Sequence, residues 1–192
     1  MNLKLLAAGA VLMSAVSFGA VKPAQFSVLP GVQFGATKYD SVANFSFNLL
    51  GAENQNVSGL DVSLLGYRQV NGNFSGFHVA LFGLEAFRVN GNMNGVSLAL
   101  WNDVHGNLNG GTIGVVNTTD GNSVFNLGGV NITKGEATVQ LGFVNYAETT
   151  KGLQFGFVNA TRDLEGVQVG LVNYAANGVL PVLPIVNFRK SF

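Results

Sequence analysis

Few side chains in this sequence have the chemistry of acids, bases or metal ligands, and their spacing is loose. The two histidines, His78 and His105, stand 27 residues apart. With no cysteine in the chain, a zinc site would need both rings together with carboxylates such as Asp61 or Asp103 converging in space. Isolated polar positions on a strand face are the plainer reading. Asp163 and Glu165 are two apart and share a face if extended, the minimal start of a glycan-cleaving acid pair. They sit in a connecting stretch and read as solvated charge. The Gly-Gly-x-Gly-x-Asp calcium repeat is missing, because Asp120-Gly121 occurs once and no Asp recurs with a period. No Gly-x-x-x-x-Gly-Lys-Ser/Thr loop occurs, so a phosphate cradle is missing as well. The residues point to no enzyme, no cofactor and no metal.

What must be positioned is therefore not a reactive cluster but a repeat. The chain has 192 residues with 10 basic and 10 acidic side chains, so formal charge cancels. Charged residues make up 10%, where a soluble domain averages about a quarter. No basic excess exists to neutralise phosphates, which argues against nucleic-acid binding. Glycine (26) and asparagine (22) together fill a quarter of the chain, yet apolar residues still reach 47%. That apolar share excludes a disordered polar tail.

Met1–Ala20 carries Lys4, then the apolar run Leu5–Val16, then small residues at Ser17, Gly19 and Ala20. This order is that of a secretory signal peptide, and the run is shorter than the roughly 20 residues a spanning helix requires. The expected organisation is a leader over 1–20 and a single β-repeat domain over 21–192.

The period is 14. Asn117, Asn131, Asn145, Asn159, Asn173 and Asn187 each follow a valine, and each lies 14 residues after the last. Three residues before them stand Gly114, Gly128, Gly142, Gly156 and Gly170, with Pro184 in the final unit. Gln140, Gln154 and Gln168 recur five residues before their Asn. The strict repeat covers about 104–187. Upstream, Gly59, Gly76 and Gly95 open looser copies whose anchors step by 17, 19 and 15. Val32–Gly35 and Phe45–Asn48 resemble degenerate opening units, for about eleven units in all. A fixed period of this kind decides the architecture.

Within a unit the alternation has period two, which is a strand. Leu153, Phe155 and Phe157 share one face, and Gln154, Gly156 and Val158 the other. The aromatic triplet positions Phe143, Phe155 and Phe157 are expected in the core. Tyr146 and Tyr174 follow the Asn, either packed at a bend or forming an exposed stripe. Thr119, Thr133, Ala147, Thr161 and Ala175 form a row two residues after each Asn.

Two architectures fit. In a β-solenoid each unit is one coil, and equivalent residues stack about 4.8 Å apart. The recurrent Asn is then explained by its tolerance of left-handed bends and by amide bonds between copies. Alternatively, Asn71-Gly72 and Asn90-Gly91 are hairpin turns of an antiparallel meander or an outer-membrane barrel. Against the barrel, a 14-residue unit leaves little for loops once a membrane strand takes about 10.

The tandem Gly-Leu/Val-Gln-x-Gly-Leu/Phe-Val-Asn units, with Tyr146-Ala147 and Tyr174-Ala175, resemble an uncharacterised family of bacterial surface-repeat proteins. The ending Gly178–Phe188, with Pro181 and Pro184, resembles that family's terminator. The resemblance is specific over about 111–188. It implies export and repeat architecture, and no activity. Some members look like lipoproteins, whereas this chain has no Cys to carry a lipid.

The expected function is accordingly a secreted or surface-exposed, non-enzymatic protein, structural or adhesive, acting through repeated Gln, Asn and Tyr positions on extended sheet faces. The expected partner is a surface ligand or envelope component of unknown identity, with outer-membrane association possible and nucleic acid excluded. The alternative is an outer-membrane barrel serving as a pore or structural envelope protein. Localisation is expected outside the cytoplasm: extracellular, cell surface, or outer membrane and periplasm.

Overall fold

The chain folds as an all-β solenoid of about nine stacked coils. The computed structural model describes residues 19–189, and no helix occurs among them. The leader expected over 1–20 lies, apart from Gly19 and Ala20, outside the described residues.

The first strand, β1 (Val21–Leu29), is flanked by β2 (Val32–Phe34), which runs antiparallel to it, and by β3 (Ser41–Asn48), which runs parallel. From there the stacking is parallel. β3 and the short β4 (Gly51–Asn54) lie on β5 (Val57–Val70), and β5 on β6 (Phe74–Val89). Next come β7 (Met93–Leu98) and β8 (Trp101–Val104), then β9 (Leu108–Thr119). β10 (Ser123–Phe155) winds continuously through 33 residues, followed by β11 (Val158–Leu164) and β12 (Val167–Ala175). β13 (Val182–Phe188) then turns back antiparallel on β12.

Both ends are thus closed by an antiparallel strand, which lowers the expected eleven units to nine. Val32–Gly35 is no opening coil: β2 covers the N-terminal edge. Asn187 likewise leaves the parallel stack, lying opposite Gln168 in β13. Pro184 sits within this last edge strand, where a missing N–H does least harm and discourages further pairing.

The strand order runs open from β13 to β2, with parallel neighbours in between. The meander and the closed barrel are therefore not the fold. Asn71-Gly72 and Asn90-Gly91 are coil bends rather than hairpins: Gly72 N–H donates to Gln55 O at 2.6 Å, Gly91 to Gly72 O at 2.8 Å and Gly106 to Gly91 O at 3.0 Å. Beside them a second asparagine ladder climbs the same edge. The Oδ1 atoms of Asn56, Asn73, Asn92, Asn107 and Asn122 each accept the backbone N–H of the next coil at 2.8–2.9 Å.

Glycine at the upstream anchors has a backbone cause. Gly59, Gly76, Gly95 and Gly110 all have positive φ, and a Cβ at Gly76 would stand 2.0 Å from Gly59 O. Stacked coils in this left-handed conformation favour glycine, and only the first position of the column, Asn44 at φ 82°, carries a side chain.

Side-chain direction reverses the expectation for the core. Phe143, Phe155 and Phe157 point outward, 64%, 57% and 53% exposed, while Gln140, Gln154, Gln168 and the Asn column are 0–1% exposed. The Thr119–Ala175 row is also interior. A 14-residue coil is too narrow to hold opposed large apolar side chains, so planar amides and small residues fill it. Larger apolar groups, Phe74, Phe87, Met93 and Leu108, cluster in or beside the wider upstream coils, and downstream Leu164 alone among the described large apolar side chains is buried.

Candidate functional site

The strand register makes each interior column legible. One column reads Gln25, Ser46, Asp61, His78, Ser97, Thr112 and Asn126, then Gln140, Gln154 and Gln168 at 14-residue steps. All ten are polar and buried. A second reads Ala52, Arg68, Phe87, Asn102, Asn117 and onward through Asn173.

From Asn102 to Asn173 the second column is a hydrogen-bonded ladder. Each Nδ2 donates to the Oδ1 of the next coil at 2.8–2.9 Å. The same Nδ2 atoms donate to bend carbonyls: Asn117 to Leu127 O, Asn131 to Leu141 O, Asn145 to Phe155 O and Asn159 to Val169 O, at 2.9–3.1 Å. The Gln ladder runs with the opposite polarity. Gln168 donates to Gln154, and Gln154 to Gln140, both at 2.7 Å. Buried amides remain favourable only when bonded in this way. The Asn residues do not adopt left-handed φ, because Asn44 and Ile185 are the only non-glycine residues with positive φ among those described. Inter-coil bonding alone accounts for their recurrence. The paired glycines make room for them: a Cβ at Gly142 would meet Gly128 O at 2.3 Å and Asn131 Nδ2 at 2.6 Å.

Asp61 and His78, neighbours in the first column, form a buried ionic cluster with Arg68 and Glu85. Arg68 Nε and His78 Nδ1 both lie 2.9 Å from Asp61 Oδ2, and His78 Nε2 lies 3.2 Å from Glu85 Oε2. The His78 ring stacks on Phe87 at 3.9 Å. Burial alone would raise the Asp61 carboxyl, but the Arg68 guanidinium and the His78 ring hold it well below the usual carboxylate range. Burial would likewise lower His78, yet its contacts with Asp61 and Glu85 leave it raised. All four side chains are fully enclosed, so no path from solvent reaches them.

Asp61 and Asp103, the carboxylates expected near the histidines, do pair with them, separately. His105 Nε2 is 3.3 Å from Asp103 Oδ2 on the surface, where Arg88 also bonds Asp103. The two histidines do not meet. Among the described residues no group of three His, Asp or Glu has metal-binding geometry. Asp163 accepts a bond from Asn177 in the connector. Arg68 and Glu85 escaped sequence reasoning, although a charge inside an otherwise apolar alternating run was the available signal.

The exposed feature is an apolar edge. Where the outward direction repeats at Phe143-Val144, Phe157-Val158 and Leu171-Val172, the chain bends. These consecutive exposed residues lie on the edge opposite the Asn-Gly bends. The Phe143 and Phe157 rings stack at 5.2 Å. Upstream, Leu81, Phe82, Leu84, Leu100, Trp101 and Val115 continue the edge, and Ile185 ends it. Beside it runs a groove of about 800 Å³ between Leu141, Phe155 and Val169 on one wall and Phe143, Phe157 and Leu171 on the other, floored by Gly142, Gly156 and Gly170. A second groove of about 550 Å³ continues it toward Leu81, sharing Leu127 and Gly128. The opposite edge carries polar bends and ion pairs, Lys134 with Asp120 at 2.7 Å and Lys151 with Glu136 at 2.8 Å.

Comparison of the chain with protein-family models, curated proteins and solved structures finds no match.

Proposed function

We propose that this chain is an exported, non-enzymatic repeat protein with a structural or adhesive role, working by contact at the cell surface or envelope. One observation carries the reading: the solenoid leaves a long, charge-free apolar edge uncovered while burying its polar repeat. Contiguous apolar surface on this scale marks an interaction site. The contact is made by Phe, Leu and Val, with Tyr146 and Tyr174 beside them, since the Gln and Asn first assigned this role are interior. The Met1–Ala20 pattern and the resemblance to surface-repeat proteins support export.

The test is a binding screen of the chain against envelope lipids, polysaccharides and surface proteins, beside a Phe143→Glu, Phe157→Glu, Leu171→Glu variant. The reading expects a partner whose capture the triple substitution abolishes. Binding indifferent to these residues, or a turnover that depends on His105 or on the Asp163/Glu165 pair, overturns it.

A further inference from the structure

Resting on the contact reading, we propose that the apolar edge seats in the interfacial zone of a phospholipid layer, with the solenoid axis lying along the membrane plane. The occupant of the edge is then lipid rather than a second protein.

Three observations argue for lipid. The first is the charge distribution. The bend residues Leu100, Val115, Phe143, Phe157, Leu171 and Ile185 carry no charge, nor do the columns beside them on either face, such as Leu141–Phe155–Val169 and Val144–Val158–Val172. The Lys134–Asp120 and Lys151–Glu136 pairs and the Asn-Gly bends sit on the opposite edge, while the Arg162–Glu148 and Arg88–Asp103 pairs lie in the strands between the two edges. The cross-section is therefore amphipathic, as in interfacial helices that bury one side about 5–10 Å deep.

The second is backbone satisfaction. A lipid-facing carbonyl without a partner costs several kcal/mol. Here Leu141 O, Phe155 O and Val169 O are bonded from inside by Asn131, Asn145 and Asn159. Val172 N–H donates to Phe157 O at the same bend. These bend carbonyls need no water.

The third is shape. The strip wraps around a convex bend from one sheet face to the other. A rigid partner would have to match the bend and the grooves beside it at once. Pairing through one flat face would leave the other half of the strip wet. A fluid lipid phase conforms to both. Trp101, the single tryptophan, lies on this strip beside Val116, at a position suited to the headgroup boundary.

The strip itself carries no charge, and the nearest charges, Arg88 and Asp103 beside Trp101, pair with each other at 2.9 Å, so binding is expected to need neither anionic lipid nor low salt. Trp101 supplies the readout. Full-length chain is mixed with zwitterionic phosphatidylcholine vesicles, with and without bromine on the acyl chains. The expected result is a blue shift of Trp101 emission, quenching by the brominated lipid, and no weakening in high salt. The Phe143→Glu, Phe157→Glu, Leu171→Glu variant should lower partitioning about a hundredfold with an unchanged β spectrum. The neutral Phe157→Ser, Leu171→Ser pair, expected to lower it about tenfold, covers the case in which the charged variant fails to fold.

Equal partitioning of the variants assigns binding to the apolar run Leu5–Val16 and overturns the proposal. Binding confined to anionic vesicles and lost with salt overturns it too. So does vesicle-independent dimerisation that buries Trp101, which would give the edge to a second copy. If vesicles fail while the envelope screen still finds a partner lost in the triple variant, lipid falls and the contact reading stands. If both fail, the contact reading falls with it.

Discussion

The coils before and after about residue 108 stack in the same parallel register but are filled by different chemistry. Upstream, each coil is 15 to 19 residues long, wide enough for Phe74, Phe87 and Met93 around a buried cluster of Asp61, Arg68, His78 and Glu85. Downstream, 14 residues leave space for one amide, a second amide, and a Thr or Ala, with the large apolar groups other than Leu164 displaced outside. Coil length sets interior width, and interior width decides whether hydrocarbon or stacked amide fills the core. The upstream half places charge where the downstream half places neutral dipoles, so the two halves should answer differently to substitution and to pH.

The largest effect is expected from the upstream cluster. Arg68→Met leaves Asp61 buried with one cationic partner fewer and should cost about 3–5 kcal/mol. Chemical denaturation measures the loss. Native-state hydrogen exchange should place it in β5, β6 and β7; uniform loss across β10–β12 would mean that the halves unfold as one unit.

Next comes the ladder. Asn145→Leu removes the bonds to Asn131, Asn159 and Phe155 O and strands buried partners, at about 1–3 kcal/mol for each. Gly142→Ala forces a methyl against Gly128 O and should cost about 2–3 kcal/mol. Both losses should map to β10–β12 and spare the upstream cluster. Equal loss of protection in β5 and β6 would break the comparison.

A smaller difference should follow pH. His78 is raised in the fold, so its stabilisation is complete below about 6.5, its unfolded value, and disappears as pH rises through the folded one. Asp61 is depressed, so its contribution is complete above about 3.9 and is lost as pH falls through the folded value. The upstream coils should therefore be most protected between about pH 4 and 6.5 and lose protection on either side of that window. The amide ladders carry no titratable group and should stay flat over that range. A His78→Gln variant that kept the alkaline loss would assign it elsewhere.

The smallest effect belongs to the exposed ion pairs. Lys151→Ala removes the pair with Glu136 at 2.8 Å, yet solvent screening should leave the unfolding midpoint unchanged within error. A measurable drop would show that the polar edge is more tightly ordered than a solvated surface.

Several of these features were legible beforehand. The 14-residue Val-Asn spacing showed a repeat that fitted a solenoid or a meander, and the Gly three residues before each Asn marked a fixed place in the unit; that the amide occupies the space a Cβ would take emerged only from the stacking. The face of each strand was not legible. Leu153 and Phe155 alternate with Gln154, and period two separates the faces without saying which is inside; it also breaks at the bend, where Phe157 and Val158 are both exposed. Preference for apolar cores chose the wrong one, because it ignores how narrow a 14-residue coil is. The hairpin reading of Asn71-Gly72 failed for a related reason: an Asn-Gly pair specifies a bend, and the direction of the next strand depends on what it stacks against. The cluster was half visible, with Asp61 and His78 already considered together, while Arg68 and Glu85 entered it only through the register of β5 and β6.

By itself, then, the sequence determined the repeat, the strand character and the sites of the bends, since these depend on local alternation and on glycine's conformational freedom. Tertiary structure alone decided the rest. Stacking at a fixed spacing turned isolated Asn and Gln residues into two ladders of opposite polarity, brought four charges into one buried cluster, and left the aromatic edge outside because the coil has no room for it within.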